Sequence, residues 1–396
     1  MTAAPPLSTA DAIAAEDAAT LPTYAKPPVA LVRGEGAYVW DADGNRYLDL
    51  YGGHCVALIG HSPAAVQQAI AQQAGELLFY SNAFYSPVRA AASQRLVELA
   101  DGFDRVFWCS TGTEANETAL KLARKTTGRS GVVAIKGGFH GRTLGSLAVT
   151  WGDGYHAPYR SVLPKTTHVP FGWEGAVAEA LAGGDVAAVI LEPIQSMAGV
   201  FEASADYYRA LRRLCDEHGT MLIFDEVQTG VGRTGRFLYG EHVGVTPDFV
   251  TLAKSLGSGV PVGAVLCQEE VAAQVKPGDQ GTTFGGGPLA MAAVSATLQT
   301  LVDDDLMTRA ERLFRLFEAE MNGVDGVVEV RGRGGLIGIQ LDRPAKPVGA
   351  GLRARGILVG GAAEPNTLRL MPPLVTPPSS AAHLAEALRA VLAAKR

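Results

Sequence analysis

Lys254 interrupts the apolar run Phe249-Val250-Thr251-Leu252-Ala253-Lys254-Ser255-Leu256-Gly257. Lysines are rarely buried without a partner, so two readings stand. Either the ammonium snorkels from a strand end to solvent, or desolvation and nearby positive charge lower its pKa and free an amine that attacks a carbonyl. A second apolar run, Met221-Leu222-Ile223-Phe224, leads directly into Asp225 and Glu226. Open α/β sheets bind ligands at the carboxyl ends of their strands, where an acid seldom serves packing. Asp225 and Glu226 could share a metal, but no His, Cys or further acid stands at ligand spacing, and no metal is expected. A buried Asp facing a ring nitrogen would instead keep that nitrogen protonated.

Ser110-Thr111-Gly112-Thr113-Glu114-Ala115-Asn116-Glu117 follows a strand-like run and opens an amphipathic segment, with Thr111 and Glu114 spaced as a capping box. Free N–H groups and the helix dipole would make this a seat for a phosphate-type anion, while an ordinary capped helix start fits the same residues. Gly230-Val231-Gly232-Arg233-Thr234-Gly235 matches the dinucleotide fingerprint G-x-G-x-x-G. Gly240, Gly244 and Pro247 break the run that follows, so the helix that pattern needs under a pyrophosphate is missing.

These groups need a scaffold, and the spacing of apolar runs supplies one. Arg105–Cys109, Val132–Lys136, Ala187–Leu191, Met221–Phe224, Phe249–Ala253 and Gly263–Cys267 read as buried strands. They alternate with helical spacing at Ala115, Ala119, Leu122 and Ala123 and at Tyr208, Leu211, Leu214 and Cys215, which predicts an α/β fold with a largely parallel sheet. Residues 1 to about 30 read as an arm over the folded body. Pro288 opens a helix running to about Leu301, and the domain change is placed there. Beyond it, strands at Val327–Val330 and Leu336–Leu341 and a final helix near Ala381–Ala394 suit a smaller α+β unit.

At 396 residues, two units are expected; 47% hydrophobic and 19% charged residues are enough for packed layers. A net charge of −6 without any basic cluster argues against nucleic acid or an anionic membrane as partner. Acidic small molecules must therefore be met by individual arginines. No apolar run reaches the length of a membrane span, and the start carries no secretory or transit pattern. Cys55, Cys109, Cys215 and Cys267 lie far apart, as packing residues would in a reducing compartment, and the cytoplasm is the expected location.

Taken in order, the anion loop, Phe139-His140-Gly141-Arg142-Thr143, Glu192-Pro193-Ile194-Gln195, Asp225-Glu226-Val227-Gln228-Thr229-Gly230, Lys254 and Thr282-Thr283-Phe284-Gly285-Gly286 resemble class III aminotransferases. The likeness runs from about Arg33 to Leu374, most of the chain, and is closest to the acetylornithine and N-acylated lysine-pathway branch. It implies the fold type I PLP-transferase architecture: a large, mostly parallel sheet domain with helices on both faces, and a small α+β domain built from both chain ends. The division expected is 1–50 for the arm and part of the small domain, 51–287 for the large domain, and 288–396 for the C-terminal small domain. The implied cofactor is pyridoxal 5′-phosphate (PLP). Its phosphate would sit on the N–H groups of Gly112 and Thr113, with Phe139 stacked on the ring, Asp225 at the pyridine nitrogen and Gln228 at the phenolic oxygen. Lys254 becomes the Schiff-base lysine, and Thr283 reaches the phosphate of a neighbouring subunit, which implies a homodimer with shared sites.

Arg142 and Arg369 are the candidates for substrate carboxylates, because a guanidinium can grip a carboxylate in two parallel hydrogen bonds. In relatives that transfer a terminal amine, the arginine matching Arg369 is masked by a glutamate in a stretch that commonly reads G-E-G-G. Here that stretch is Ser196-Met197-Ala198-Gly199, and Met197 cannot neutralise an arginine. His54 stands where that branch usually has a small or aliphatic residue and is read as structural; Gly287 replaces the usual Asn. The expected reaction moves an amino group between an ω-amino acid of the ornithine or lysine type and 2-oxoglutarate by a ping-pong mechanism. Transfer of an α-amino group such as that of alanine or glutamate, and a PLP-dependent aminomutase, are the alternatives.

Overall fold

The computed structural model describes residues 7–394. The expected arm contains a helix, Thr9–Ala19, none of whose residues is buried; Ser8 caps it by accepting from the Asp11 N–H at 3.2 Å. The chain then enters an antiparallel meander of β1 (Leu31–Glu35), β2 (Tyr38–Asp41) and β3 (Arg46–Asp49).

The central sheet contains β4 (Arg105–Cys109), β5 (Gly131–Ile135), β6 (Thr166–Val169) and β7 (Val186–Leu191). After a two-residue hairpin, β8 (Ile194–Gln195) with β9 (Phe201–Glu202), come β10 (Met221–Asp225), β11 (Phe249–Leu252) and β12 (Gly263–Cys267). Its seven strands lie in the order β4-β12-β11-β10-β7-β5-β6. β12 runs antiparallel to both neighbours, and the pairings from β11 to β6 are parallel. Every residue of β5, β7, β11 and β12 is buried, because helices cover both faces and leave no wet side to alternate with. The sequence reading missed β6, whose Thr166-Thr167-His168-Val169 has no apolar run; as an edge strand it needs none.

The pleat of β10 decides where its terminal acid points. Leu222 and Phe224 enter the core on one face, while Ile223 joins Ala115, Ala119, Leu120 and Ala123 of the helix Gly112–Thr127 on the other. Alternation puts Asp225 on the Ile223 side, facing that helix.

The helices Pro288–Asp303 and Leu306–Met321 lead to β13 (Val327–Arg333), β14 (Leu336–Leu341), β15 (Ile357–Leu358), β16 (Gly360–Gly361) and β17 (Thr367–Leu370), followed by the helix Ser379–Ala393. β13-β14-β17-β16 form one sheet, and β15 pairs in parallel with β3, so the last third of the chain completes the N-terminal meander. A second core joins Ala37, Leu48 and Leu50 to Phe317, Ile337, Ile339, Leu384 and Leu388. Each fully buried Leu, Ile or Phe there stabilises by about 1.5–3 kcal/mol. The helix Pro288–Asp303 packs into the larger core through Met291, Val294, Leu298 and Leu301. Gly287 is its N-cap, where a Cβ would come within 3.2 Å of the Phe79 ring, so the missing side chain makes room for that ring.

Candidate active site

Asp225 is 3% exposed and fully engaged. Its Oδ2 accepts from Asn116 Nδ2 and from His140 Nδ1, each at 2.7 Å, and its Oδ1 accepts from the Val227 N–H at 3.1 Å. Thr251 in turn donates to Asn116 Oδ1 at 2.8 Å, and Asn116 Nδ2 also reaches the His140 carbonyl at 2.8 Å. A carboxylate with this many donors is fixed in position. The sequence reading named neither Asn116 nor His140 as functional. Asn116 carried a usable signal, an amide buried on the apolar face of its helix.

Lys254 follows β11 and lines, with Asp225, Gly112, Thr113, Phe139, Arg142 and Gln228, a cleft of about 460 Å³. Its φ of +44° is costly for a side-chain-bearing residue, about 1–3 kcal/mol, and such strain concentrates where function needs it. Burial holds the amine below the usual lysine range, opposed by Cys55, Asp225 and Glu192 and assisted by Arg369. The snorkelling alternative therefore fails: the side chain is only partly exposed, and that exposure is into the cleft.

At one end of the cleft the helix Gly112–Thr127 begins. Thr111 Oγ1 accepts from the Glu114 N–H at 3.2 Å, and Glu114 reaches back to the Ser110 N–H at 2.9 Å. These caps leave the N–H groups of Gly112 and Thr113 in the first turn, where no intrahelical acceptor exists. A Cβ on Gly112 would approach both Val227 methyls to 3.0 Å, so only glycine lets this turn lie against the loop after Asp225.

Glu192 is buried beside Asp225 and accepts from the Phe139 N–H at 2.8 Å. Burial first, and the Asp225 charge second, push its carboxyl up to about 7. Phe139 is half-buried at the cleft wall, and the Arg142 guanidinium lies over the Tyr155 ring at 4.7 Å from its centroid and 5.7 Å from that of Phe139. Arg369 is 2% exposed, its Nε donating to the Gly361 carbonyl at 2.6 Å and its Nη1 to Ser196 Oγ at 2.9 Å, and its charge is felt by Lys254. Among the described residues no carboxylate lies within ion-pair distance of it. Thr283 is exposed and stands outside this chain's cleft.

His54 is closer to the chemistry than the structural role expected for it. It hydrogen-bonds the Tyr51 hydroxyl, and burial together with the charges of Lys254 and Arg369 pulls its imidazole down to about 4. The glycine-rich Gly230–Gly235 is a run of turns with no helix before Gly240–Val243. Its Arg233 is fully buried, donating to the Pro372 carbonyl at 2.5 Å, and so ties the loop to the C-terminal part of the chain.

The aminotransferase class-III family model matches residues 21–392. The chain belongs to that family. It is 46% identical over 376 residues to the acetylornithine aminotransferase of Methanopyrus kandleri, covering 93% of this chain and 96% of that one. With the acetylornithine aminotransferase of Mycolicibacterium smegmatis it shares 44% identity over 379 residues, 95% and 96% of the two chains. Among solved structures, the ornithine aminotransferase of Toxoplasma gondii superposes with a TM-score of 0.92 at 34% identity, over 98% of this chain and 97% of that one. The acetylornithine aminotransferase of Elizabethkingia anophelis gives 0.85 at 31% identity, over 97% and 99%. As a class III aminotransferase the protein is a PLP-dependent transaminase of fold type I. The cleft suits that cofactor: it offers an unpaired pair of first-turn N–H groups for a phosphate, an acid held by three donors at the carboxyl end of β10, and an amine with depressed basicity.

Proposed function

We propose that this aminotransferase moves an amino group between the terminal amine of an ornithine- or lysine-type ω-amino acid and 2-oxoglutarate, in two half-reactions at one cleft. The observation that carries this reading is the depressed Lys254 amine facing the fixed carboxylate of Asp225, in a chain 46% identical to an acetylornithine aminotransferase. Bound PLP supplies the electron sink for the pair left on the substrate carbon. Asp225 holds the proton at the ring nitrogen; its two donors from Asn116 and His140 keep it from turning away. Gly112 and Thr113 seat the phosphate, Phe139 covers the ring face, and Gln228 meets the phenolic oxygen. Lys254 Nζ would hold the cofactor between turnovers and, once displaced by the incoming amine, would shuttle the proton between the substrate carbon and the cofactor's C4′. Arg142 and Arg369 bind the substrate carboxylates.

One observation favours a second reading. Among the described residues Arg369 has no carboxylate at ion-pair distance, so a donor could present an α-carboxylate to it as the acceptor does. Donors assayed with 2-oxoglutarate and a glutamate readout separate the two. Turnover of ornithine or N-acetylornithine is expected, and inactivity with every ω-amine beside turnover of α-amino acids would overturn the ω-amine assignment. A requirement for no external oxo acid would identify an aminomutase instead.

The working form we propose is a cytoplasmic homodimer. Leu78, Phe84, Tyr85 and Phe284 leave large apolar side chains exposed, and Phe284 follows the exposed Thr283 directly in the chain, which supports a covered face there. Sedimentation of the holoenzyme at twice the chain mass is expected; a monomer at micromolar concentration would refute the shared site.

A further inference from the structure

Ser196 occupies the first position of the stretch in which relatives place G-E-G-G, and in this chain it carries a hydroxyl that is wholly buried. Buried hydroxyls are retained where both of their hydrogen-bonding roles are used. Here they are. Ser196 Oγ accepts from Arg369 Nη1 at 2.9 Å and donates to Gln228 Oε1 at 3.0 Å. The two residues it joins come from different segments: Gln228 lines the cleft, and Arg369 is the candidate for a substrate carboxylate.

The arrangement leaves Arg369 dependent on a neutral support. A guanidinium has five donors in a fixed fork, and with no carboxylate among the described residues at ion-pair distance its orientation rests on the Gly361 carbonyl, on Ser196 and on the Tyr51 hydroxyl. Of these, Ser196 continues directly to Gln228 in the cleft lining. A carboxylate that settles on Arg369 polarises its N–H groups, and a hydrogen-bonded chain passes that polarisation along.

We propose that Ser196 is a positioning residue of the transamination, holding Arg369 for the substrate carboxylate and coupling that carboxylate, through Gln228, to the phenolic edge of the cofactor. The inference rests on the roles of Arg369 and Gln228 given under the proposed function. It assigns this chain a specificity device made of a hydroxyl, where relatives with a glutamate use charge. Occupation of Arg369 by the carboxylate of the oxo acid is then reported to the cofactor.

The test uses the PLP-loaded holoenzyme and glutarate, a dicarboxylate with no amine or oxo group, as the probe. In the wild-type enzyme glutarate should bind competitively with 2-oxoglutarate and displace the pH midpoint of the cofactor's visible absorption band. In Ser196→Ala and Ser196→Gly, loss of a hydrogen bond to a charged group should weaken glutarate and raise the KM for 2-oxoglutarate by roughly tenfold, with a smaller change in kcat. The glutarate-induced displacement of the midpoint should vanish, and Ser196→Thr should restore it. A merely structural serine would lower kcat and cofactor content without uncoupling the band from glutarate, and that result overturns the proposal. So does wild-type glutarate binding in Ser196→Ala. Arg369→Ala identifies which reading has failed: if it binds glutarate as the wild type does, the carboxylate site itself is misassigned, whereas weakened binding there with an unaffected Ser196→Ala refutes only the role of Ser196.

Discussion

Lys254→Ala should reduce turnover by a factor of about 10² to 10⁴ or more, since positioned proton transfer of this kind is worth that much and the covalent hold on the cofactor goes with it. Borohydride reduction of the wild-type holoenzyme should fix the cofactor on the single peptide containing Lys254, and the variant should take no label while still binding PLP through Gly112 and Thr113. Label on another lysine, or undiminished turnover, would refute the assignment. The burial that depresses this amine gives a second readout on cofactor-free protein. A lysine whose pKa is lowered on folding binds its proton less tightly in the native state, so its burden on stability is present at neutral pH. That burden is lifted as pH rises through the lowered value toward the usual 10.5. Relative to Lys254→Met, the wild-type melting temperature should therefore climb with pH below 10.5.

Asp225→Asn should cost about 10² to 10⁴ in kcat with folding intact. The amide matches the carboxylate in size, but not in hydrogen bonding. If its oxygen takes the place of Oδ2, it still accepts from Asn116 and His140, and its NH₂ then meets the Val227 N–H donor to donor. Whichever way it turns, the negative charge that keeps the ring nitrogen protonated is gone. Single-turnover kinetics with a saturating donor are the measurement: a slow chemical step with near-normal PLP occupancy is expected, and an unchanged step would remove Asp225 from the mechanism.

The parts of this protein legible in the sequence are those in which neighbours along the chain act together. Continuous apolar runs announced β10, β11 and β12, and a lysine and an aspartate breaking two of those runs stood out because burial gives such residues few other uses. The support behind them was less visible. Asn116, His140, Thr251 and Asp225 belong to four separate segments, and their hydrogen bonds exist only once the pleat of β10 has aimed Asp225 at the helix Gly112–Thr127. His54 was read as structural because a lone histidine after two glycines carries no period; its position beside Arg369 and Lys254 depends on left-handed backbone from Gly52 to Cys55, with φ between 57° and 67°. Arg369 was singled out because Met197 cannot neutralise it. Its hydrogen bond to Ser196 could not have been read from either segment by itself.

The parallel pairing of β3 with β15 also has a consequence for biosynthesis. The strand that covers the open edge of residues 46–49 lies about 300 residues further along the chain, and domains assemble from the N-terminus as the chain emerges at about 5–20 residues per second. For most of synthesis the meander therefore presents an unprotected edge of the kind that recruits other chains.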